Sequence, residues 1–259
     1  MISWAKINKY FFWLAIFAIP WQLRHTLLFA SYQGEFFEYA SISIYLSDIL
    51  IILVLLTWWL MAADQPKPKF GPKQVSWPLS LLILWMWLSV GYISWTGGNW
   101  LVGFNQAFHF TLFGLFYWYF INQVTDIWEV WLPLTGGVIF QSVLGLGQYI
   151  SNHSLGLNQL GESVLDPLVA GIPVVLVKGA RQLRAHGMLP HANVLGGYLA
   201  TSLIWVWGGY WISQQKPSIK WLLWCGLVLG GIALLLSFSR SSWLAISITI
   251  LIFLGLALS

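Results

Sequence analysis

Charge is the scarcest thing in this sequence. Lys, Arg, Asp and Glu together make up 8% of its 259 residues, against about a quarter in a soluble domain. A surface solvated in the ordinary way is excluded, and a formal charge of +4 on so apolar a chain does not suggest nucleic acid as a partner. Cysteine is nearly missing too. A lone Cys225, inside an apolar run, leaves neither a disulfide framework nor a thiolate metal site. No cleavable leader is evident, because Pro20 interrupts the first apolar run and no small-residue cleavage site follows it. The first helix is therefore expected to stay as a signal anchor.

What the chain has in abundance is apolar surface: 58% of its residues are hydrophobic, and 19 are Trp, the residue of bilayer interfaces. The expected fold is an all-α polytopic membrane protein with a small extracytoplasmic β-hairpin loop. About eight transmembrane segments of roughly 20 residues fit the bilayer: residues 10–29, 45–62, 77–95, 100–121, 127–150, 193–212, 219–236 and 241–258. No soluble insert or internal repeat divides them, so residues 1–259 read as one integral membrane domain, with the loop 151–190 between the fifth and sixth segments.

The cations orient this array. With the N-terminus inside, Lys6, Lys9, Lys67, Lys69, Lys73, Lys216 and Lys220 face the cytoplasm, and Arg24, Lys178, Arg181, Arg184 and Arg240 lie outside. Seven against five is a small positive-inside majority. The split by residue type says more, since all four Arg fall outside. Lysine suffices as a topology signal, whereas arginine offers a planar fork that grips phosphate bidentately. Snorkelling to the interface is the plainer account of the same residues. The Pro- and Lys-rich connector 64–76 looks like topology signal alone.

Within the segments, Ser47 is placed to cap the second helix, with Asp48 in its first turn near the positive dipole end. Asn105, Gln106 and His109 lie early in the fourth. The fifth carries Gln141 and Gln148 among glycines that permit close helix contact, and Gln148 and His109 are candidates to line a cavity. In the loop, the β-branched run 172–177, a Lys178-Gly179 turn and an alternating stretch 180–186 predict a hairpin on the outer surface. Period two then puts Gln182, Arg184 and His186 on one face, with Arg181 and Leu183 on the other. Pro190 ends that stretch, and Asn193 is a candidate N-cap for the next helix. A second polar knot, L-S-F-S-R-S-S-W at 236–243, combines Arg240, helix N–H groups and the hydroxyls of Ser239, Ser241 and Ser242 as a candidate anion site.

The stretches R-A-H-G-M-L-P-H-A-N-V-L-G-G-Y-L-A at 184–200 and S-F-S-R-S-S-W-L-A at 237–245 resemble the O-antigen ligase/polymerase superfamily of bacterial envelope glycosyltransferases. Y-L-S-D-I-L at 45–50 and the run 147–163 add weaker likeness, in family order. The resemblance implies transfer of an undecaprenyl-pyrophosphate-linked glycan to a hydroxyl of an acceptor lipid, protein or glycan. The reaction would take place at the outer face of the cytoplasmic membrane, without metal, nucleotide sugar or other cofactor. Arg184 and Arg240 would bind the pyrophosphate and stabilise its departure. His191 and Asn193 would order the loop or touch the glycan, while Arg181, His186, Ser239, Ser241 and Gln148 would contribute to substrate binding. Family members carry a further outer loop with a histidine that activates the acceptor, followed by more helices. On that pattern the chain is expected to be an N-terminal portion, with His186 or His191 as the less favoured bases. Polymerisation of lipid-linked repeats, transport of such lipids, and carrier binding without catalysis are the competing readings.

Overall fold

A computed structural model describes residues 3–32, 35–36, 40–213 and 217–258; Lys216, counted above, lies outside them. Among the described residues, 69% of the structure being helical, there are eight α-helices: α1 Trp4–Ala18, α2 Leu46–Leu60, α3 Lys73–Trp95, α4 Trp100–Gln123, α5 Trp128–Ser151, α6 Ala192–Ile212, α7 Pro217–Leu236 and α8 Arg240–Leu258. Three of them, α3, α5 and α7, are long and apolar enough to cross a membrane. Only 11% of the most apolar window of α3 is buried in protein, so its hydrophobic surface needs an apolar surrounding.

Three two-stranded antiparallel sheets accompany the helices: β1 Arg24–Leu28 with β4 Ile42–Tyr45, β2 Ser31–Tyr32 with β3 Glu35–Phe36, and β5 Val174–Val177 with β6 Ala180–Leu183. The first of these corrects the segment expected at 10–29. Helix α1 stops at Ala18, two residues before Pro20, and the chain re-emerges as β1. Proline disfavours helical backbone at the residue before it and supplies no N–H. Likewise the helix expected to be capped by Ser47 starts earlier. Tyr45 is its N-cap, and the Tyr45 N–H donates to Asp48 Oδ2 over 2.8 Å, giving Asp48 its capping role from the third helical position.

The chain divides into two compact units, residues 1–15 with 24–127 and residues 16–23 with 128–259. In the first unit, the Phe12 ring packs at a tilt against Phe116 and Tyr119, and Asn8 donates to Val54 O and Thr57 Oγ1 while accepting from Tyr119 Oη. In the second, the core is an aliphatic seam of Val138, Leu195, Leu199, Leu203, Val206, Leu223, Ala233 and Leu234. Small residues let its helices close: a β-carbon at Gly230 would sit 2.7 Å from Leu203 Cδ2 and 3.0 Å from Val138 Cγ1.

Candidate functional site

The second unit holds both polar knots. The β5–β6 hairpin turns through Lys178 (φ 50°) and Gly179 (φ 83°), a two-residue loop with both φ positive, which suits the twist of paired strands. Period two ends at Leu183, however. From Ala185 to Leu189 every residue is buried, so this stretch is threaded into the protein instead of alternating on a surface. The reason lies on α5. Gln141 and Gln148, two turns apart on one face, supply the hydrogen bonds that the buried backbone would otherwise lack. Gln148 Oε1 accepts from the N–H groups of His186 (3.2 Å) and Gly187 (2.8 Å), and its Nε2 donates to Gly187 O and Glu162 Oε1, both at 2.9 Å. Gln141 Oε1 accepts from Met188 N at 2.7 Å. Gly187, with φ 62°, turns the chain where a side chain would run into Gln141.

Gln148, expected at the substrate, is thus wholly buried, and its amide is committed to shaping the loop. Glu162 supports the same loop, because its carboxylate accepts from Leu155 N and Leu157 N, each at 2.7 Å, and from Gln148. Nothing in the sequence marks Glu162. The seven-residue spacing of Gln141 and Gln148 is a signal that one α5 face is polar.

The loop then meets the turn between α7 and α8. Ala185 N donates to Leu236 O (3.0 Å), and Arg184 Nε donates to Ser237 O (2.7 Å). On the other side, α6 approaches closely enough that a β-carbon at Gly196 would come within 2.5 Å of Ser239 Cβ and 2.9 Å of Ser242 Oγ. Two turns that are distant in sequence are thereby held together, with the starts of α6 and α8 beside them. Arg184 Nη2 donates to Asn193 Oδ1. The Asn193 side chain is therefore a partner of the arginine, and the N-cap of α6 is His191, whose Nδ1 accepts from Asn193 N at 3.0 Å. An Asn at the second helical position cannot reach back to cap its own first turn.

Burial, and then the positive charge of Arg240 close by, holds the Arg184 guanidinium below the ordinary arginine value, although it remains a cation. Among the described residues neither Arg184 nor Arg240 has a carboxylate partner. Arg240 is exposed at the first position of α8, with exposed Ser241 next to it. Ser239 is buried and shares its hydroxyl with Ser242 Oγ at 2.8 Å, so it shapes the turn. Arg181 stands apart: it is exposed on β6 opposite Leu176, and no side-chain bond joins it to Arg184.

The two imidazoles lie with ring centres 6.2 Å apart. His186 Nδ1 donates to Arg184 O at 2.7 Å, which leaves a bare Nε2, buried and without a partner. Burial pushes His186 down to about 4. Burial and the Arg184 charge also lower His191. Both rings are neutral at pH 7. His191, with Nδ1 accepting, carries its proton on Nε2 and offers a donor, so it is not set up to take a proton.

His109, in the first unit, belongs to a different kind of pair. Its Nε2 lies 2.9 Å from Asp48 Oδ2 and its Nδ1 bonds Asn105 O at 2.8 Å, so it is tied to α2 and to its own helix.

No protein-family model, curated protein or solved structure matches the chain.

Proposed function

We propose that this chain binds the diphosphate of an undecaprenyl-pyrophosphate-linked glycan. In this reading it serves the transfer (ligation) of that glycan to an acceptor hydroxyl at the outer face of a bacterial cytoplasmic membrane. One observation carries the reading: Arg184, bonded to Ser237 O, lies at the turn that carries Arg240 and feels its charge, with neither paired to a carboxylate among the described residues, beside the N-terminal ends of two helices. Two cations brought together without a counter-ion raise each other's energy, and a bound anion relieves that cost. Arginine's fork and the helix N–H groups both suit phosphate oxygens.

In the transfer, the acceptor oxygen attacks the anomeric carbon, the bond from that carbon to the phosphate oxygen breaks, and the diphosphate leaves with the electron pair. Negative charge grows on the leaving oxygen, and the arginines stabilise it there. Two of the five Arg184 N–H groups are used on Ser237 O and Asn193 Oδ1, which fixes the plane of the fork and leaves the others for ligand. The acceptor proton needs a base: His191 presents a donor from Nε2, and the bare Nε2 of His186 is buried and, lowered to about 4, only weakly basic. The geometry therefore supports the leaving-group half of the reaction.

The test uses purified protein in nanodiscs with undecaprenyl pyrophosphate, undecaprenyl monophosphate and undecaprenol. The diphosphate should bind most tightly. Arg184→Lys and Arg240→Lys should each weaken it at least tenfold while the protein still inserts, because lysine keeps the charge and loses the fork. Unchanged binding in both variants would sink the reading. Translocation of the intact lipid across a liposome membrane, without a glycosidic bond being formed, would favour transport instead.

A further inference from the structure

The connector between α2 and α3 is built, not slack. Asn122, near the end of α4, clasps the Lys69 backbone from both sides, accepting from Lys69 N at 2.7 Å and donating to Lys69 O at 3.0 Å. Trp118 Nε1 donates to the same carbonyl at 2.8 Å. Gln65 Oε1 accepts from Trp58 Nε1 (3.1 Å) and Gln123 Nε2 (2.7 Å), and Ser76 Oγ donates to Phe70 O (2.7 Å). A segment serving only as a positive topology signal needs none of these bonds.

Two cavities open beneath it. One, of about 380 Å3, lies on the α2 side and is lined by Trp58, Trp59, Leu115, Trp118 and Lys67; the other, of about 370 Å3, lies on the α3 side and is lined by Phe70, Leu79, Ile83, Leu115 and Trp118, among others. Each is within the range of about 300–1,000 Å3 usual for ligand sites. Leu115 and Trp118, one turn apart on α4, line both and form the ridge between them. The Trp118 indole cannot swing out of that ridge without giving up its bond to Lys69 O. Lys67 lines the α2-side cavity, and Lys69, next to Phe70, and Lys73, at the start of α3, follow along the connector; all three are exposed and none is paired with a carboxylate among the described residues.

Two apolar slots side by side, parted by one ridge and with unpaired cations along the connector, match one ligand shape: two hydrocarbon chains joined at an anionic head. We propose that this end of the first unit is a binding site for a single anionic diacyl glycerophospholipid, with one chain in each cavity and its phosphate at Lys67. The tryptophans suit that depth, where an indole meets hydrocarbon on one face and headgroups at its edge. This site is independent of the arginine site in the second unit.

The experiment is lipid retention measured by native mass spectrometry, on protein taken from nanodiscs of equimolar phosphatidylglycerol and phosphatidylcholine with matched chains. Phosphatidylglycerol should be retained at least tenfold over phosphatidylcholine. Replacing Lys67, Lys69 and Lys73 together by Gln should bring the two level, each lysine being worth roughly fivefold near an anionic headgroup. Only the Lys69 backbone is used in the fold, so these exposed changes leave the connector's bonds in place. Lyso-phosphatidylglycerol, with one chain, should be held at least fivefold less than the diacyl lipid, and soluble glycerol phosphate should displace nothing. Equal retention of both diacyl lipids by the unaltered protein, or no effect of the triple change, would overturn the proposal. So would equal retention of the lyso lipid, displacement by glycerol phosphate, or preferential retention of a single-chain polyprenyl monophosphate.

Discussion

The molecule handles buried or half-buried charge in two opposite ways. In the first unit, Asp48 and His109 meet 2.9 Å apart, and each has a second bond, Asp48 from Tyr45 N and His109 to Asn105 O. That pair is complete. In the second unit, Arg184 is partly buried beside another cation and, among the described residues, is satisfied by neutral oxygens alone, Ser237 O and Asn193 Oδ1. A chain with so few charges gains nothing in stability from placing two like ones together, and elsewhere it shows that it can balance a charge. The contrast separates charge that holds the fold from charge kept for something outside it.

The largest effect should come from removing the unbalanced charges. Arg184→Ala with Arg240→Ala should lower undecaprenyl pyrophosphate affinity at least about a hundredfold, since hydrogen bonds to charged groups are worth about 1.5–3 kcal/mol each. Thermal stability should fall only modestly, because losing the Arg184 bonds to Ser237 O and Asn193 Oδ1 is offset in part by removing the repulsion. A clear loss of stability with unchanged affinity would mean that the arginines are structural and the contrast false.

Next in size is the loop that presents Arg184. Gln148→Leu keeps the volume but strips the acceptor from His186 N and Gly187 N, at roughly 1–3 kcal/mol for each buried N–H left unpaired. A drop of about 2–6 kcal/mol in unfolding free energy is expected, and diphosphate binding should fall with it. If binding fell while denaturant unfolding stayed normal, Gln148 would be touching ligand after all.

These cases also show how far the sequence can be read. The apolar runs mark out most of the helices, and the Lys178-Gly179 turn and its strands are visible because their rules are local. Pairings across long separations are not. Asp48 and His109 are 61 residues apart, and Gln148 and Gly187 are 39 apart. Alternation through 180–186 predicts a surface strand, yet the two glutamines of α5 let the same residues run through the interior, a tertiary override of a local pattern. The cap of α6 fails for a similar reason: Asn193 is a good capping residue by type, but its oxygen is taken by Arg184, and His191 caps in its place. Residue type and resemblance single out the two arginines; their closeness comes from Gly196 and the carbonyls of Leu236 and Ser237, which no local pattern announces.

A third effect depends on pH. Burial holds His186 near 4 in the folded protein, below the ordinary 6.5, so from pH 6.5 downward the unfolded chain takes up a proton that the folded one refuses. The corresponding stability is fully present above pH 6.5 and is lost as pH falls toward about 4, by up to roughly 3 kcal/mol. His186→Asn, which can still donate to Arg184 O, should flatten that slope in denaturant melts between pH 6.5 and 4. An unchanged slope would locate the titration elsewhere.

The smallest effect is the one that sharpens the contrast most. Asp48→Ala leaves Tyr45 N and His109 Nε2 without their acceptor at the start of α2, which should cost about 2 kcal/mol, since both groups are largely shielded from water. His109→Ala should cost somewhat less. Combining the two should cost less than their sum, because the first change has already left the second residue without its bond. Diphosphate affinity should stay within about twofold in all three variants, as the arginines draw their support from Ser237, Asn193 and the α5 glutamines. Additive losses in the double variant would mean that Asp48 and His109 act separately. A collapse of binding in Asp48→Ala at unchanged stability would make the balanced pair a functional group, and the distinction between the two regions would no longer stand.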